Sequence, residues 1–212
     1  MLLLYILITF CIVYFLLHKK TNNYTLRKGI LSPEFCNKLI EISNKYEFGN
    51  HKEVVDGKPA HEIEIYDSDN LGDPVMNKEL WEISKKIYDL HLKNKNPNLP
   101  DYVFLRRYTK EERADLPVHL DQNKTTVSFL LSSRRDFEGG DLYIFDQKIT
   151  NKYRYLENKS PTIRNNFVRN FKNIPIVKYD QGDMISYSGK DHLHGVIPIT
   201  KGVRYSISFF FE

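Results

Sequence analysis

His119-Leu120-Asp121 sets an imidazole and a carboxylate two residues apart, so an extended segment would aim both side chains at one face. A third donor is available in Asp191-His192-Leu193-His194-Gly195, far along the chain. Two imidazoles and one carboxylate on one face of an octahedron leave positions free for a bidentate co-substrate and for oxygen, the donor set of non-haem Fe(II) rather than of structural zinc. On its own, His-X-Asp is a common surface tripeptide, so the assignment needs an independent group elsewhere in the chain. Ten residues after His194 comes Arg204, with Pro198 and Gly202 between them. That spacing predicts a chain that turns back and places Arg204 on the antiparallel neighbour of the strand carrying His194. Arg204 and Ser206 would then share the inward face. An inward guanidinium needs an anion, and a dicarboxylic acid offers it a bidentate partner. The spacing to Arg204 favours His194 over His192 as the second imidazole. Tyr108 is either a hydrogen-bonding tyrosine of this site or a packed aromatic, and the same two readings apply to Tyr143 and Thr125.

Strands must hold these groups, and strand-like runs are expected over 61–66, 102–108, 125–131, 142–145, 174–179, 184–187 and 203–211. Glu138-Gly139-Gly140-Asp141, Gln181-Gly182-Asp183 and Thr200-Lys201-Gly202 are turn signals between several of them, with Asp183 read as a turn acid. Ser32-Pro33-Glu34 starts one amphipathic helix, continued by Phe35, Leu39, Ile42 and Tyr46. Asp73-Pro74 is expected to open a second, whose stripe Met76, Leu80, Ile83, Ile87 and Leu90 would lie on a sheet, with Trp81 beside it. Helices followed by many short strands predict a mainly β fold with flanking helices, a jelly-roll sandwich or barrel braced on one face. Residues 151–173 break the rhythm with Lys152, Arg154, Lys159, Arg164, Arg169 and Lys172 against Glu157. They read as a basic insertion, either a solvated loop with turns of helix or a lid or contact surface for an acidic substrate.

The composition, 41% hydrophobic and 27% charged, excludes disorder and low complexity. Two cysteines, Cys11 and Cys36, support neither a disulfide framework nor a cysteine zinc site. A net charge of +4 makes nucleic acid an unlikely partner. Residues 1–17 carry no charge and are closed by Lys19 and Lys20, which predicts a transmembrane anchor over 1–20 ahead of one domain over 21–212. Within that domain, helical support is expected over about 30–95 and a jelly-roll core over about 100–212. Lys19, Lys20, Arg27 and Lys28 favour a cytosolic domain by the positive-inside bias.

In order and spacing, Tyr108, His119-Leu120-Asp121, 125–131, Phe137-Glu138-Gly139-Gly140-Asp141, Gly182-Asp183, His192-Leu193-His194-Gly195-Val196-Ile197-Pro198 and Lys201-Gly202-Val203-Arg204-Tyr205-Ser206 resemble the 2-oxoglutarate and Fe(II)-dependent dioxygenases of the prolyl and lysyl hydroxylase type. The resemblance covers roughly residues 102–212 and looks closest to the procollagen lysyl hydroxylase branch. That branch shares the Tyr108-to-His119 spacing, the acid-Gly-Gly turn, the paired histidines and an arginine anchor, although Asp141 stands where it tends to carry a third glycine. The resemblance implies a double-stranded β-helix. It also implies His119, Asp121 and His194 as iron ligands, with Arg204, helped by Ser206 and Tyr108, holding 2-oxoglutarate. Fe(II), 2-oxoglutarate and O2, with ascorbate as an accessory, are the implied cofactors and co-substrates. The implied reaction hydroxylates a lysyl or prolyl side chain of a polypeptide and releases succinate and CO2, and the family's location points to the endoplasmic reticulum lumen. Hydroxylation of a small molecule or nucleobase, and a catalytically inactive membrane-tethered jelly-roll binding protein, are the alternative functions.

Overall fold

The structure, a computed structural model, describes residues 23–212, so the anchor expected over 1–20 lies outside the described residues. Among the described residues no helix is long and apolar enough to cross a membrane. The elements in chain order are β1 (Tyr24–Arg27), α1 (Pro33–Ser43), β2 (Glu62–Asp67), α2 (Lys78–Ile87), β3 (Tyr102–Tyr108), β4 (Leu116–His119), β5 (Thr125–Leu130), β6 (Phe137–Gly139) and β7 (Leu142–Ile144). Then come α3 (Gln147–Tyr153), α4 (Pro161–Asn170), β8 (Met184–Tyr187), β9 (His194–Val196), β10 (Ile199–Gly202) and β11 (Arg204–Phe211).

A six-stranded antiparallel sheet in the order β1-β8-β5-β11-β3-β2 faces a three-stranded sheet in the order β4-β9-β7, and β10 pairs with β6 beside them. This is the mainly β, jelly-roll-like architecture expected. Alternation along the large sheet sorts its two faces. Val103, Leu105, Val127, Phe129, Ile207 and Phe209 point outward into a core shared with Leu39, Ile42, Leu80 and Trp81 of the helices. Phe104, Arg106, Tyr108, Thr126, Ser128, Ser206 and Ser208 point the other way, into a cavity between the sheets. Ser206 and Ser208, in the middle of the inward face of β11, are small and polar, which leaves room where the outward residues fill space.

Ser32 caps α1 by accepting the Phe35 N–H at 3.2 Å, with Pro33 at its start, as the sequence predicts. The second helix begins later than Asp73-Pro74: Asn77 caps it by accepting the Leu80 N–H at 3.0 Å. The stripe is correspondingly shorter. Leu80 and Ile87 are buried, whereas Met76 and Leu90, expected on it, are 45% and 73% exposed. Trp81 stacks on Tyr66 with ring centroids 4.3 Å apart, fastening α2 to β2.

Two further expectations change. Residues 174–179 do not form a strand; Ile176 makes a single bridge to Tyr143. The basic insertion is no solvated loop: α3, a 3-10 turn (Arg154–Asn158) and α4 bury Leu156, Arg164 and Val168 against Val118, Tyr143, Phe145 and Leu193. Phe145, Phe167 and Phe171 pack ring on ring there, with centroids 4.8–5.8 Å apart. Apolar and aromatic positions interleaved with the basic ones carry that packing, so the charge count concealed a helical layer covering the small sheet.

Asp183 is the turn acid expected, and it also joins two parts of the chain. Buried at the start of β8, it accepts the Gly29 N–H at 2.8 Å and the Asp180 N–H at 2.9 Å. Asp183→Ala would leave both donors without their acceptor and should lower stability by about 2–4 kcal/mol. Urea unfolding reads this, and Mn(II) affinity of the folded variant should be unchanged.

Candidate active site

The small sheet brings the two distant histidines together. β4 and β9 pair antiparallel with His119 opposite His194, and their rings stand 4.3 Å apart. Asp121 lies just past the end of β4, where its backbone N–H donates to the Gly189 carbonyl at 3.1 Å. Its Oδ1 is 3.4 Å from His119 Nε2 and 3.3 Å from His194 Nε2. The three donor atoms therefore lie within 4.8 Å of one another, close enough to hold a single metal ion.

Hydrogen bonds orient each donor. His119 Nδ1 lies 2.8 Å from the Pro117 carbonyl and His194 Nδ1 lies 2.8 Å from the His192 carbonyl. A carbonyl only accepts, so both Nδ1 atoms carry the proton and both Nε2 atoms face the shared space. Thr126 Oγ1 donates to Asp121 Oδ2 at 2.5 Å and leaves Oδ1 for the imidazoles. Burial opposes ionisation of Asp121, but the charge and hydrogen bonds of His194 and His119 prevail and hold its pKa well below the usual carboxylate range. Burial, reinforced by the charge of His194, lowers the pKa of His119, whereas at His194 burial is outweighed by the Asp121 carboxylate, which raises its pKa, so a bound cation would displace that proton. An ionised carboxylate and a neutral imidazole are the forms that bind a divalent cation. The donor set, hard oxygen and imidazole with an open side, fits Fe(II).

Arg204 reaches the same cavity by a different route from the one its spacing suggests. Its strand, β11, is not the neighbour of β9; it lies between β3 and β5 in the facing sheet. The turn after β9 crosses through β10 to the other layer, so Arg204 looks across the cavity at the triad. The side chain is 3% exposed, rests 5.0 Å from the Tyr108 ring centre, and donates to Tyr179 Oη at 2.7 Å and Ser206 Oγ at 3.3 Å. Among the described residues no carboxylate lies within ion-pair distance of it. A buried cation held only by neutral hydroxyls is electrostatically incomplete, and a ligand carboxylate would complete it. One cavity of about 470 Å³ is lined by His119, Asp121, His194, Tyr108, Arg204 and Ser206 together.

The rival histidine is elsewhere: His192 Nδ1 meets the Phe145 carbonyl at 3.1 Å, and only its backbone serves the site, through His194. Tyr143 is buried against Gly195, away from the cavity lining, and Asp141 accepts from Arg134 at 2.7 Å. Thr126, not Thr125, is the threonine at the triad, because alternation along β5 turns it inward. Tyr179 and Gly189 carried no sequence signal, since each acts only through a residue distant in the chain. Tyr187 packs edge-on against His194 at 4.8 Å. Gly189 leaves no space for a side chain: a Cβ there would collide with Asp121 and Thr126. Gly189→Ala should therefore displace the carboxylate and weaken Mn(II) binding about 10- to 100-fold in a protein that still folds, as measured by anaerobic titration calorimetry.

No family model matches the chain. A curated relative in Xenopus tropicalis, "2-oxoglutarate and iron-dependent oxygenase domain-containing protein 2", is 24% identical over 90% of this chain and 50% of its own length. The chain thus spans half the length of that relative. Among solved structures, the viral collagen prolyl hydroxylase of Paramecium Bursaria Chlorella virus-1, with 2OG bound, superposes with a TM-score of 0.53 at 16% identity, covering 90% of this chain and 96% of that one. A prolyl hydroxylase from Trichoplax adhaerens, in complex with a hypoxia inducible factor oxygen degradation domain peptide fragment, gives 0.57 at 12% identity, covering 90% and 84%. The fold is therefore that of the 2-oxoglutarate and Fe(II) oxygenases, with prolyl hydroxylases among its structural neighbours.

Proposed function

We propose that this chain is an Fe(II)- and 2-oxoglutarate-dependent dioxygenase that hydroxylates a lysyl or prolyl side chain of a polypeptide. The observation that carries the reading is a single cavity in which three oriented metal donors face a buried arginine lacking an anion. When bound, Fe(II) with 2-oxoglutarate and O2 supplies the oxidation: one oxygen atom enters succinate, released with CO2, and the other enters a C–H bond of the acceptor. His119 Nε2, Asp121 Oδ1 and His194 Nε2 hold the metal, and the carbonyls of Pro117 and His192 keep both imidazoles turned toward it. Arg204 receives the far carboxylate of 2-oxoglutarate, with Ser206 and Tyr179 setting the plane of its guanidinium. The Tyr108 ring, 5.0 Å from that guanidinium, lines the same cavity.

A polypeptide acceptor is supported by the Trichoplax neighbour, whose structure holds a peptide. The lysyl form draws on Glu64 and Asp67, which line the cavity with Tyr102 and suit an ammonium group. Tethering through residues 1–20 is part of the same proposal and rests on their unbroken apolar run.

Succinate formation from 2-oxoglutarate with Fe(II) and peptide pools containing lysine or proline tests the reading. The expected product is a peptide one oxygen atom heavier, with turnover abolished in His119→Ala. Arg204→Ala should raise the KM for 2-oxoglutarate on the order of 100-fold, the loss of one charge-assisted bidentate contact. Full turnover in His119→Ala would overturn the assignment of the donors.

A further inference from the structure

The insertion touches the wall of the cavity through one residue, Arg164, which donates to the Val55 carbonyl. Residues 49–60 form a hairpin-like excursion: Gly49 bridges Glu62, Lys52 bridges Pro59, and the Glu53 N–H donates to the Lys58 carbonyl at 2.8 Å. Its Glu53, Val54 and Val55 line the cavity, and Val54 is 92% exposed. Three buried arginines from three separate places grip this tip. Arg106 of β3 pairs with Glu53, Arg113 donates to Asp56 Oδ1 at 2.9 Å, and Arg164 of α4 donates to the Val55 carbonyl.

Arg164 differs from the other two. It is 5% exposed and has no carboxylate within ion-pair distance among the described residues. Its two hydrogen bonds go to backbone carbonyls, Val55 at the cavity wall and Val118 at 3.3 Å, the residue before His119. Among the described residues its Nε has no hydrogen-bond partner, and neither have Arg113 Nε and Nη2 nor Asp56 Oδ2. Such a cluster adds little net stability, because desolvating the charges costs about what the contacts return. What it fixes is geometry. A planar fork spans two carbonyls at a set separation, which an ammonium cannot do. One donor set therefore ties the wall opposite the acceptor to the strand that carries a metal donor.

We propose that Arg164 is a positioning residue for the acceptor: through Val55 it sets the Glu53–Val55 wall at a fixed distance from the triad, and Val54 is the apolar contact that wall offers. The basic insertion is thus a brace acting from behind β4. This inference rests on the oxygenase reading for its acceptor, but the bracing itself does not.

Hydrogen exchange on the full chain separates the two. In the wild type the amides of Glu53 and Gly57, which donate to the Lys58 and Glu53 carbonyls, should be protected. In Arg164→Lys, which keeps the stem and the charge, their protection should fall about tenfold or more, while the amides of β5 and β11 and Mn(II) affinity stay within about twofold. Unchanged protection at Glu53 and Gly57, rapid exchange of those two amides in the wild type, or an equal loss throughout the chain would overturn the brace. With the lysine- and proline-containing peptide pools, Arg164→Lys and Val54→Asp should raise the acceptor KM about fivefold or more. The kcat and the acceptor-free conversion of 2-oxoglutarate should stay as they were. A parallel fall in acceptor-free conversion would show that Arg164 acts on the metal site instead. Absence of all 2-oxoglutarate turnover in the wild type sinks the oxygenase reading, whereas the exchange result still decides whether Arg164 holds the hairpin.

Discussion

Asp121 Oδ1, standing 3.3–3.4 Å from two imidazole nitrogens, is the contact on which the rest of the site depends. A buried carboxylate and two buried imidazoles at that spacing repel or neutralise one another unless something divalent or a proton sits among them. The surroundings are built to keep them there. Each Nδ1 is spent on a backbone carbonyl, Oδ2 is spent on Thr126, and Gly189 stands where no side chain fits. The three atoms left over face one another within 4.8 Å, an arrangement that could hold a metal ion.

The two-sheet architecture turns that contact into a reaction chamber. Metal donors come from the small sheet and its edge, and Arg204 comes from the large sheet opposite. On the proposed oxygenase reading, a co-substrate carrying a chelating end and a distal carboxylate would be held by both layers at once, its orientation set by the sheet spacing. Ser128, Ser206 and Ser208 leave the volume between the layers open, whereas their outward neighbours Val127, Ile207 and Phe209 close the core against the helices. Helices therefore stabilise the large sheet from outside without intruding on the chemistry, and α3 and α4 do the same for the small one.

Much of this is legible in the sequence because it is local. His119-Leu120-Asp121 shows the same-side spacing of an extended chain, Ser32-Pro33 shows a helix start, and the β11 segment shows alternation between inward polar and outward apolar positions. The structure sets His194 rather than His192 beside His119 and Asp121, since the position two residues along is the one opposite His119 in the pairing. What sequence reading misses is long-range. Spacing to Arg204 suggested an adjacent strand, but a short turn into β10 carries the chain to the other layer. The basic insertion read as solvated because its charges outnumber its acids, although Phe167 and Phe171 on its other face bury it. Tyr179, Thr126 and Gly189 matter through partners that only the fold brings near.

Loading the protein anaerobically with one equivalent of Fe(II) and recording its X-ray absorption fine structure tests the central claim most directly. The expected result is one six-coordinate iron with two imidazole nitrogens and otherwise oxygen donors, and the loss of one imidazole in either His119→Ala or His194→Ala. An iron bound without histidine, or an imidazole count unchanged from the wild type in both variants, would contradict it.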